Sequence, residues 1–279
     1  MSEGKITVMV AGLPGNMASL ITSAIAQQED MELYICGLAE ESGEKFIDIA
    51  NCIDLSTKRT IHLPLIPIIL HESFLLRHSK EIDIIVDFTQ PTSVNHNAEL
   101  YCKMGIPFVM GTTGGDRNAL EETIRNSKIS AVVATNMASP VIVFQEMIKW
   151  ASKTFPQALA GYTIEIVESH QSAKKDISGT AISMLPAFNA LGMPFAEGQI
   201  VPVRIKKDQL EMGVPEAHLN GHAWHTYRIT SQDGTVCLEF KHNINGRNVY
   251  AGGVLKAIRF LSTAQKTGHV WSMADVLRG

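Results

Sequence analysis

The 279-residue chain has only four cysteines, with no C-x-x-C pair and a density far below that of a small secreted disulfide scaffold. Cys36, Cys52, Cys102 and Cys237 are therefore expected to be reduced and buried. Neither sign of charge dominates: 24 Lys and Arg stand against 28 Asp and Glu, a formal net charge of −4. This gives no global field for nucleic acid or an anionic membrane, so a polyanion site would have to be local. Long hydrophobic runs are also missing. The longest, around Leu63 to Leu70, contains Pro64 and Pro67 and falls far short of the roughly 20 residues a membrane helix requires. The opening MSEGKITVMVAG enters an apolar strand without the basic, apolar and cleavage regions of a signal peptide, so a soluble cytoplasmic protein is expected. What the chain does have is 45% apolar positions, enough to bury one large core or two moderate ones.

The first half alternates short β-branched runs with helix-length segments, the pattern of a parallel sheet covered by helices. Strands are expected at Ile6 to Val10, Glu32 to Gly37, Ile82 to Phe88, Pro107 to Met110 and Ser130 to Ala134. Helices are expected at Asn16 to Gln27, Ser93 to Met104 and Asp116 to Ser127. This is an α/β, doubly wound, Rossmann-type pattern. From about Tyr162 the character changes. Thr163 to Val167, Val201 to Ile205, Gly221 to Thr230 and Thr235 to Asn243 read as strands of an antiparallel or mixed sheet, with Asp233-Gly234 as a hairpin turn. The tail returns to helix over Ala251 to Ala264, after Gly252-Gly253.

The first strand runs into A-G-L-P-G-N-M-A, which places Gly12 and Gly15 between a strand and a helix, followed by Asn16 and Met17. Small residues there let the backbone approach a pyrophosphate, whose charge free N–H groups at the helix start can meet. The spacing is G-x-x-G-x-x-A, so a tight β–α turn without a ligand fits it as well. Glu40, after the second strand, suits a ribose 2′-hydroxyl, while Ser42 and Lys45 leave a 2′-phosphate open; NADH and NADPH both fit. Asp87-Phe88-Thr89-Gln90-Pro91, Gly111-Thr112-Thr113-Gly114-Gly115 and Thr135-Asn136-Met137 end further strands. In open α/β sheets ligands bind at such carboxyl ends.

Glu168 to Ala181, E-S-H-Q-S-A-K-K-D-I-S-G-T-A, is the most informative stretch. It offers His170, Lys174 and a Ser178-Gly179-Thr180 turn opening a helix, whose N–H groups and hydroxyls suit a carboxylate. His170 has the side-chain type that suits acid/base work near neutral pH. A solvated loop followed by a capped helix accounts for the same residues. Arg247, after Gly246, is a further fork for a carboxylate or a plain surface arginine. His222-x-x-His225 in a strand points to opposite faces, and no metal site is expected.

Four elements occur in order: G-L-P-G-N-M, D-F-T-x-P at Asp87 to Pro91, G-T-T-G at Gly111 to Gly114, and the E-x-H…K-x-D…S-G-T-A block. Across nearly its whole length the chain resembles the dihydrodipicolinate reductases, the 4-hydroxy-tetrahydrodipicolinate reductases of the diaminopimelate route to lysine. Gln171 where many bacterial members have a second histidine, the absence of a proline before S-G-T with one residue fewer, and the motifs at Gly213 to His218 and Gly221 to His225 resemble the plant-type branch.

The resemblance implies NAD(P)H-dependent reduction of 4-hydroxy-tetrahydrodipicolinate. It implies a dinucleotide-binding domain at residues 1–138 and 247–279, with an inserted substrate-binding and oligomerisation domain at 139–246 that closes over the cofactor. His170 is the family's proposed general acid and Lys174 would be catalytic and bind substrate, with either supplying the proton and with Ser178, Gly179, Thr180 and Arg247 on the dicarboxylate. Cofactor contacts would come from Gly12, Gly15, Asn16, Met17, Glu40, Phe88, Thr89, Gly111, Thr112, Thr113, Asn136 and Met137. A homo-oligomer, dimer or tetramer, is implied. Another Rossmann reductase of a small carboxylate, or a non-catalytic NAD(P)H-binding module, would keep the glycine loop; the module would need neither His170 nor Lys174.

Overall fold

The computed structural model describes residues 4–40, 47–53 and 57–279. Glu41, Ser42 and Lys45 lie outside these. By chain contacts the protein divides into two compact units, Met1–Ser139 with Tyr250–Gly279, and Pro140–Val249.

The first unit opens with β1 (Ile6–Leu13), α1 (Asn16–Ile25), β2 (Met31–Leu33) and β3 (Gly37–Ala39). The single strand expected over Glu32 to Gly37 is two short ones. β2 pairs with the start of β1 and β3 with its end, and between them Ile35 swings out, 74% exposed. An antiparallel pair unforeseen from the sequence follows, β4 (Ile49–Ile53) and β5 (Thr60–Ile66), then α2 (His71–His78). The alternation resumes with β6 (Ile84–Asp87), α3 (Val94–Met104), β7 (Phe108–Met110), α4 (Arg117–Arg125) and β8 (Ala131–Val133). β6 and β7 are buried at every residue, which is why they read as unbroken apolar runs. α4 starts where Asp116 accepts from the amides of Asn118 and Ala119, and it buries Leu120 and Ile124, one turn apart on one face.

The second unit begins within α5 (Ser139–Thr154) and continues through β9 (Thr163–His170), α6 (Gly179–Ala190), β10 (Val201–Val203), α7 (Lys206–Glu211), β11 (His222–Thr230) and β12 (Cys237–Asn245). Its four-stranded sheet has the order β10-β9-β11-β12, parallel for β10 with β9 and antiparallel elsewhere. Ile205, expected at the end of a strand, instead precedes the first turn of α7. Ile164, Ile166, Tyr227 and Ile229 from the sheet pack with Met184, Leu185 and Phe188 of α6 in one core. Cys237 opens β12 exposed and Cys102 is half-buried, so of the four free thiols only Cys36 and Cys52 are buried as expected.

The chain re-enters the first unit in α8 (Asn248–Thr263), then β13 (Val270–Trp271) and α9 (Met273–Arg278). Among the described residues the first sheet runs β13-β8-β7-β6-β1-β3-β5-β4, with β2 beside β1. All its pairings are parallel except β4 with β5. Met9, Leu38, Tyr101, Phe108 and Ile124 share its core. No helix of the described residues is long and apolar enough to cross a membrane.

α8 does not begin after Gly252-Gly253 but three residues before Ala251, and it carries both glycines inside it. The reason is close packing: a Cβ at Gly253 would lie 1.8 Å from the Met137 carbonyl oxygen, whereas nothing lies within 4 Å at Gly252. Gly253→Ala should therefore cost about 1–3 kcal/mol of stability. Gly252→Ala should add roughly 0.5–1 kcal/mol by removing backbone freedom from an exposed helix position. The urea midpoints of the two variants, moving in opposite directions from the parent, check the pair.

Candidate active site

In the first unit the expected residues gather at strand carboxyl ends. Gly12, with φ of +98°, passes so close to the next turn that a Cβ would lie 2.4 Å from the Phe88 carbonyl oxygen. No residue with a side chain fits there. The Gly15 amide donates to the Gly12 carbonyl at 2.9 Å, and α1 starts at the next residue, Asn16, which is exposed. Beside this turn a cleft of about 350 Å³ is lined by Leu13, Gly15, Asn16, Ala39, Glu40 and Ile47 among others. The Glu40 carboxylate reaches within 3.7 Å of where a Gly15 Cβ would stand.

One buried carboxylate shapes the neighbouring turns. Asp87, the last residue of β6, is 0% exposed. Its Oδ1 accepts from the Thr89 amide at 3.0 Å, the Thr89 hydroxyl at 2.7 Å and the Thr112 hydroxyl at 3.1 Å. Its Oδ2 accepts from Asn97 at 2.9 Å and from the Tyr101 hydroxyl at 2.8 Å. Burial and the carboxylate raise the Tyr101 hydroxyl well above its ordinary pKa, so it remains a donor. Thr112 is buried and Thr113 exposed in the G-T-T-G turn, and Phe88 lies against Gly111. Asn136 accepts from the Ala138 amide at 2.9 Å, while Met137 is buried. The cradle a Cβ would fill and the carboxylate-lined cleft beside it fit a dinucleotide.

In the second unit the organising group is Glu168, 0% exposed on β9. Its Oε2 accepts from the Ser178 amide at 2.9 Å and its Oε1 pairs with the Arg204 guanidinium. His170 Nε2 stands 3.7 Å and His225 Nε2 3.6 Å from the same Oε2. Burial alone would raise the Glu168 carboxyl, but His225, Arg204 and the Ser178 amide outweigh it and hold it at about 2. For His170, burial and then the positive neighbours His225, Arg204 and Lys174 prevail over the pull of Glu168, lowering the imidazole to about 3. His242, buried against His225, is likewise lowered to about 3.

Arg204 spans the loop between β9 and α6. Besides Glu168 it donates to the carbonyls of Lys174 at 2.9 Å and Asp176 at 3.3 Å. Gln209, itself 2% exposed, donates to the His170 carbonyl at 2.7 Å. Ser178 caps α6, accepting from the Thr180 amide at 3.3 Å. His170, Lys174 and the Ser178-Gly179-Thr180 turn are thus brought together around one carboxylate. Arg247 is exposed two residues past β12, near the end of the sheet where His170 lies, with no ion pair among the described residues.

Sequence reasoning missed Arg204, His225 and His242 as members of this group and did not single out Glu168. Glu168 and His170 share a face because they are two apart on a strand, and the sheet register sets His225 opposite both Glu168 and His242. Ser169 and His222, buried on the other face, bond each other at 2.7 Å, so His222 and His225 do point apart. Donor atoms of Glu168, His170 and His225 lie within 4.8 Å of one another. Arg204 already holds that carboxylate, and Arg204 and Lys174 are both positive neighbours of His170.

The acid stability of the fold follows from the same groups. Between pH 6.5 and about 3 the unfolded chain binds protons at His170 and His242 that the folded chain refuses, and from 4.5 to about 2 the same holds for Glu168. In both windows the unfolded state carries more protons, so stability falls as pH falls. The urea midpoint should therefore begin to decline below pH 6.5, before the carboxylate range, and His242→Phe should flatten that upper part of the decline.

The family model described as dihydrodipicolinate reductase, N-terminus, matches residues 6–137, and that for the C-terminus of the same enzyme matches residues 140–277. 4-Hydroxy-tetrahydrodipicolinate reductase 1, chloroplastic, of Arabidopsis thaliana is 40% identical over 279 residues, covering 98% of this chain and 78% of the relative. 4-Hydroxy-tetrahydrodipicolinate reductase 2, chloroplastic, of the same plant is 48% identical over 201 residues, 70% of this chain and 57% of the relative. Among solved structures, the dipicolinate-bound dihydrodipicolinate reductase from Paenisporosarcina sp. TG-14 superposes with a TM-score of 0.66 at 19% identity, covering 96% of this chain and 97% of that one, which shows the shared fold. With both halves matched and a plant relative alike across 98% of this chain, the chain belongs to the dihydrodipicolinate reductase family, the NAD(P)H-dependent 4-hydroxy-tetrahydrodipicolinate reductases of lysine biosynthesis.

Proposed function

We propose that this chain reduces 4-hydroxy-tetrahydrodipicolinate with NAD(P)H, its first unit holding the dinucleotide and its second the dicarboxylate. The observation that carries this reading is the cluster around Glu168, in which His170, Lys174 and the Ser178 turn are assembled and oriented by a buried ion pair. A neutral substrate would need no such set of cations and N–H donors.

NAD(P)H supplies the hydride when bound. Gly12, Gly15, Asn16 and Met17 would hold the pyrophosphate, Glu40 the ribose hydroxyls, and the turns at Phe88-Thr89, Gly111 to Thr113 and Asn136-Met137 the nicotinamide end. Lys174, Ser178, Gly179, Thr180 and Arg247 would bind the substrate carboxylates. His170 is neutral in the free site, so it orients the substrate through a hydrogen bond, and Lys174 delivers the proton.

The second unit would also join copies of the chain. Val143, Met147 and Trp150 on α5 leave apolar side chains at least half exposed, a surface that a subunit contact would cover. The free thiols suit a reducing compartment, in keeping with a cytoplasmic location; the plant relatives are named chloroplastic.

A coupled assay tests the function, with substrate generated in place by the preceding synthase from pyruvate and aspartate semialdehyde. Synthase-dependent oxidation of NAD(P)H is expected, and Lys174→Ala should lower kcat by roughly 10²- to 10⁴-fold while the KM for the cofactor stays unchanged. Cofactor binding without oxidation would overturn the reading. Glu40→Ala should raise the KM for NADH more than that for NADPH, because only the 2′-hydroxyl has a use for the carboxylate.

A further inference from the structure

The first residue of α4 is a cation, Arg117, at the end where the dipole of a helix disfavours positive charge. It stands three and seven residues before Leu120 and Ile124, on the face of α4 that enters the core, and it is half-buried. A guanidinium taken partly out of water without a counter-ion is costly and calls for a reason. Among the described residues no carboxylate pairs with it, and Glu121, one turn on, is held by Arg125 at 2.6 Å. Its one partner is a main-chain oxygen: Arg117 donates to the Thr112 carbonyl at 3.3 Å, inside the G-T-T-G turn.

That turn is anchored on both sides of its centre. The Gly111 amide donates to the Asp87 carbonyl at 3.0 Å, and the Thr112 hydroxyl donates to Asp87 Oδ1 at 3.1 Å. On the far side Asn95 of α3 donates to the Asp116 carbonyl and accepts from the Asp116 amide, both at 2.8 Å. Gly115 passes so near that a Cβ there would lie 2.6 Å from Asn95 Oδ1. Gly114, with φ of +98°, rests on Pro91, whose Cβ would be 2.7 Å from an added Cβ. Between the anchors Thr113 and Gly114 are exposed and make no hydrogen bond among the described residues.

Polar groups that are held in place yet left unbonded are prepared for a ligand, because little order remains to be imposed when it binds. The anchors differ in what they fix. Asp87 and Asn95 tie the turn to β6 and α3, whereas Arg117 holds the Thr112 carbonyl. That carbonyl and the Thr113 amide belong to one planar peptide unit, so holding the oxygen sets the direction in which the N–H points.

We propose that Arg117 is a positioning residue for the cofactor: by holding the Thr112 carbonyl it orients the peptide shared with Thr113 and aims that amide at the nicotinamide end of the dinucleotide. This deepens the dinucleotide reading of the first unit and rests on it. It accounts for a half-buried cation at the wrong end of a helix with no carboxylate on it.

The test compares NADH with ADP-ribose, which lacks only the nicotinamide, by calorimetry on the full-length protein. Arg117→Met keeps the length of the stem and removes every donor. It should raise the Kd for NADH about fivefold or more, the loss of one hydrogen bond from a charged donor, and leave the Kd for ADP-ribose unchanged. Arg117→Lys, which keeps a charged donor, should recover part of the loss. In the coupled assay kcat at saturating NADH should fall in Arg117→Met, because hydride transfer needs the ring in place. The urea midpoint of Arg117→Met should hold or rise, since a charge opposing the helix dipole has gone. A merely structural role would lower that midpoint and weaken both ligands alike, and this outcome would overturn the proposal. So would an unmoved NADH affinity in Arg117→Met while the wild-type protein binds both ligands. Wild-type protein that binds neither would instead overturn the dinucleotide reading, and the proposal with it.

Discussion

The second unit of this protein depends on one buried anion. Glu168 has no exposure to solvent, yet it stays ionised because the Arg204 guanidinium, the Ser178 amide and two imidazoles surround it. Without that charge, the Arg204 guanidinium would have no counter-ion beside the Lys174 segment that it grips. With it, the guanidinium is neutralised and fixed in place, and the opening of α6 and the Lys174 side chain are where the proposed dianion would bind. On the proposed reading, a site for an anion is built around an anion of its own. Removing the carboxylate would leave the half-buried Arg204 guanidinium without a counter-charge, which is the costly kind of change, whereas the pair as a whole is a device of position more than of stability.

The first unit uses the same device with neutral donors. Asp87 closes β6 and gathers Thr89, Asn97, Tyr101 and Thr112, so that two successive turns and one helix are tied to a single strand end. In both units a carboxylate at or near the end of a strand fixes loops that follow it, and those loops carry the residues proposed to touch ligand. Loops are where binding groups are free to vary, and they are precise only when a rigid element holds them.

The parts of the fold legible in the sequence were those with local causes. Asp116 announces α4 because a cap acts within three residues, and the apolar runs of β6 and β7 announce strands buried on both faces. The glycine pair in α8 misled because its cause is remote: only the Met137 carbonyl, more than a hundred residues earlier, requires Gly253. The split of β2 from β3 is likewise set by their shared partner β1 rather than by their own residues. In the site, His170, Lys174 and the Ser178 turn could be read because they lie within one short segment. Arg204, His225 and His242 could not, since register brings them in. One signal was available: Asp233-Gly234 sits at the centre of symmetry of the β11 and β12 pairing, and counting outward from it sets His225 opposite His242.

The same geometry accounts for a departure from the family pattern. Many bacterial members resembled by this chain carry a proline ahead of S-G-T and one residue more in the loop, and a proline stiffens a loop by fixing its own backbone. Here Ile177 stands before Ser178, and the shorter loop is held from outside. Arg204 bonds the carbonyls of Lys174 and Asp176, and Glu168 bonds the Ser178 amide, so the backbone is gripped at three points within five residues. These are main-chain contacts, indifferent to which side chain sits at the gripped position and sensitive to how many residues lie between. Loop length and the Glu168–Arg204 pair are therefore one constraint. Without the proline, the guanidinium adds to the one turn bond, from the Lys174 amide to the Gln171 carbonyl at 3.0 Å, that ties the loop back to the residue after His170.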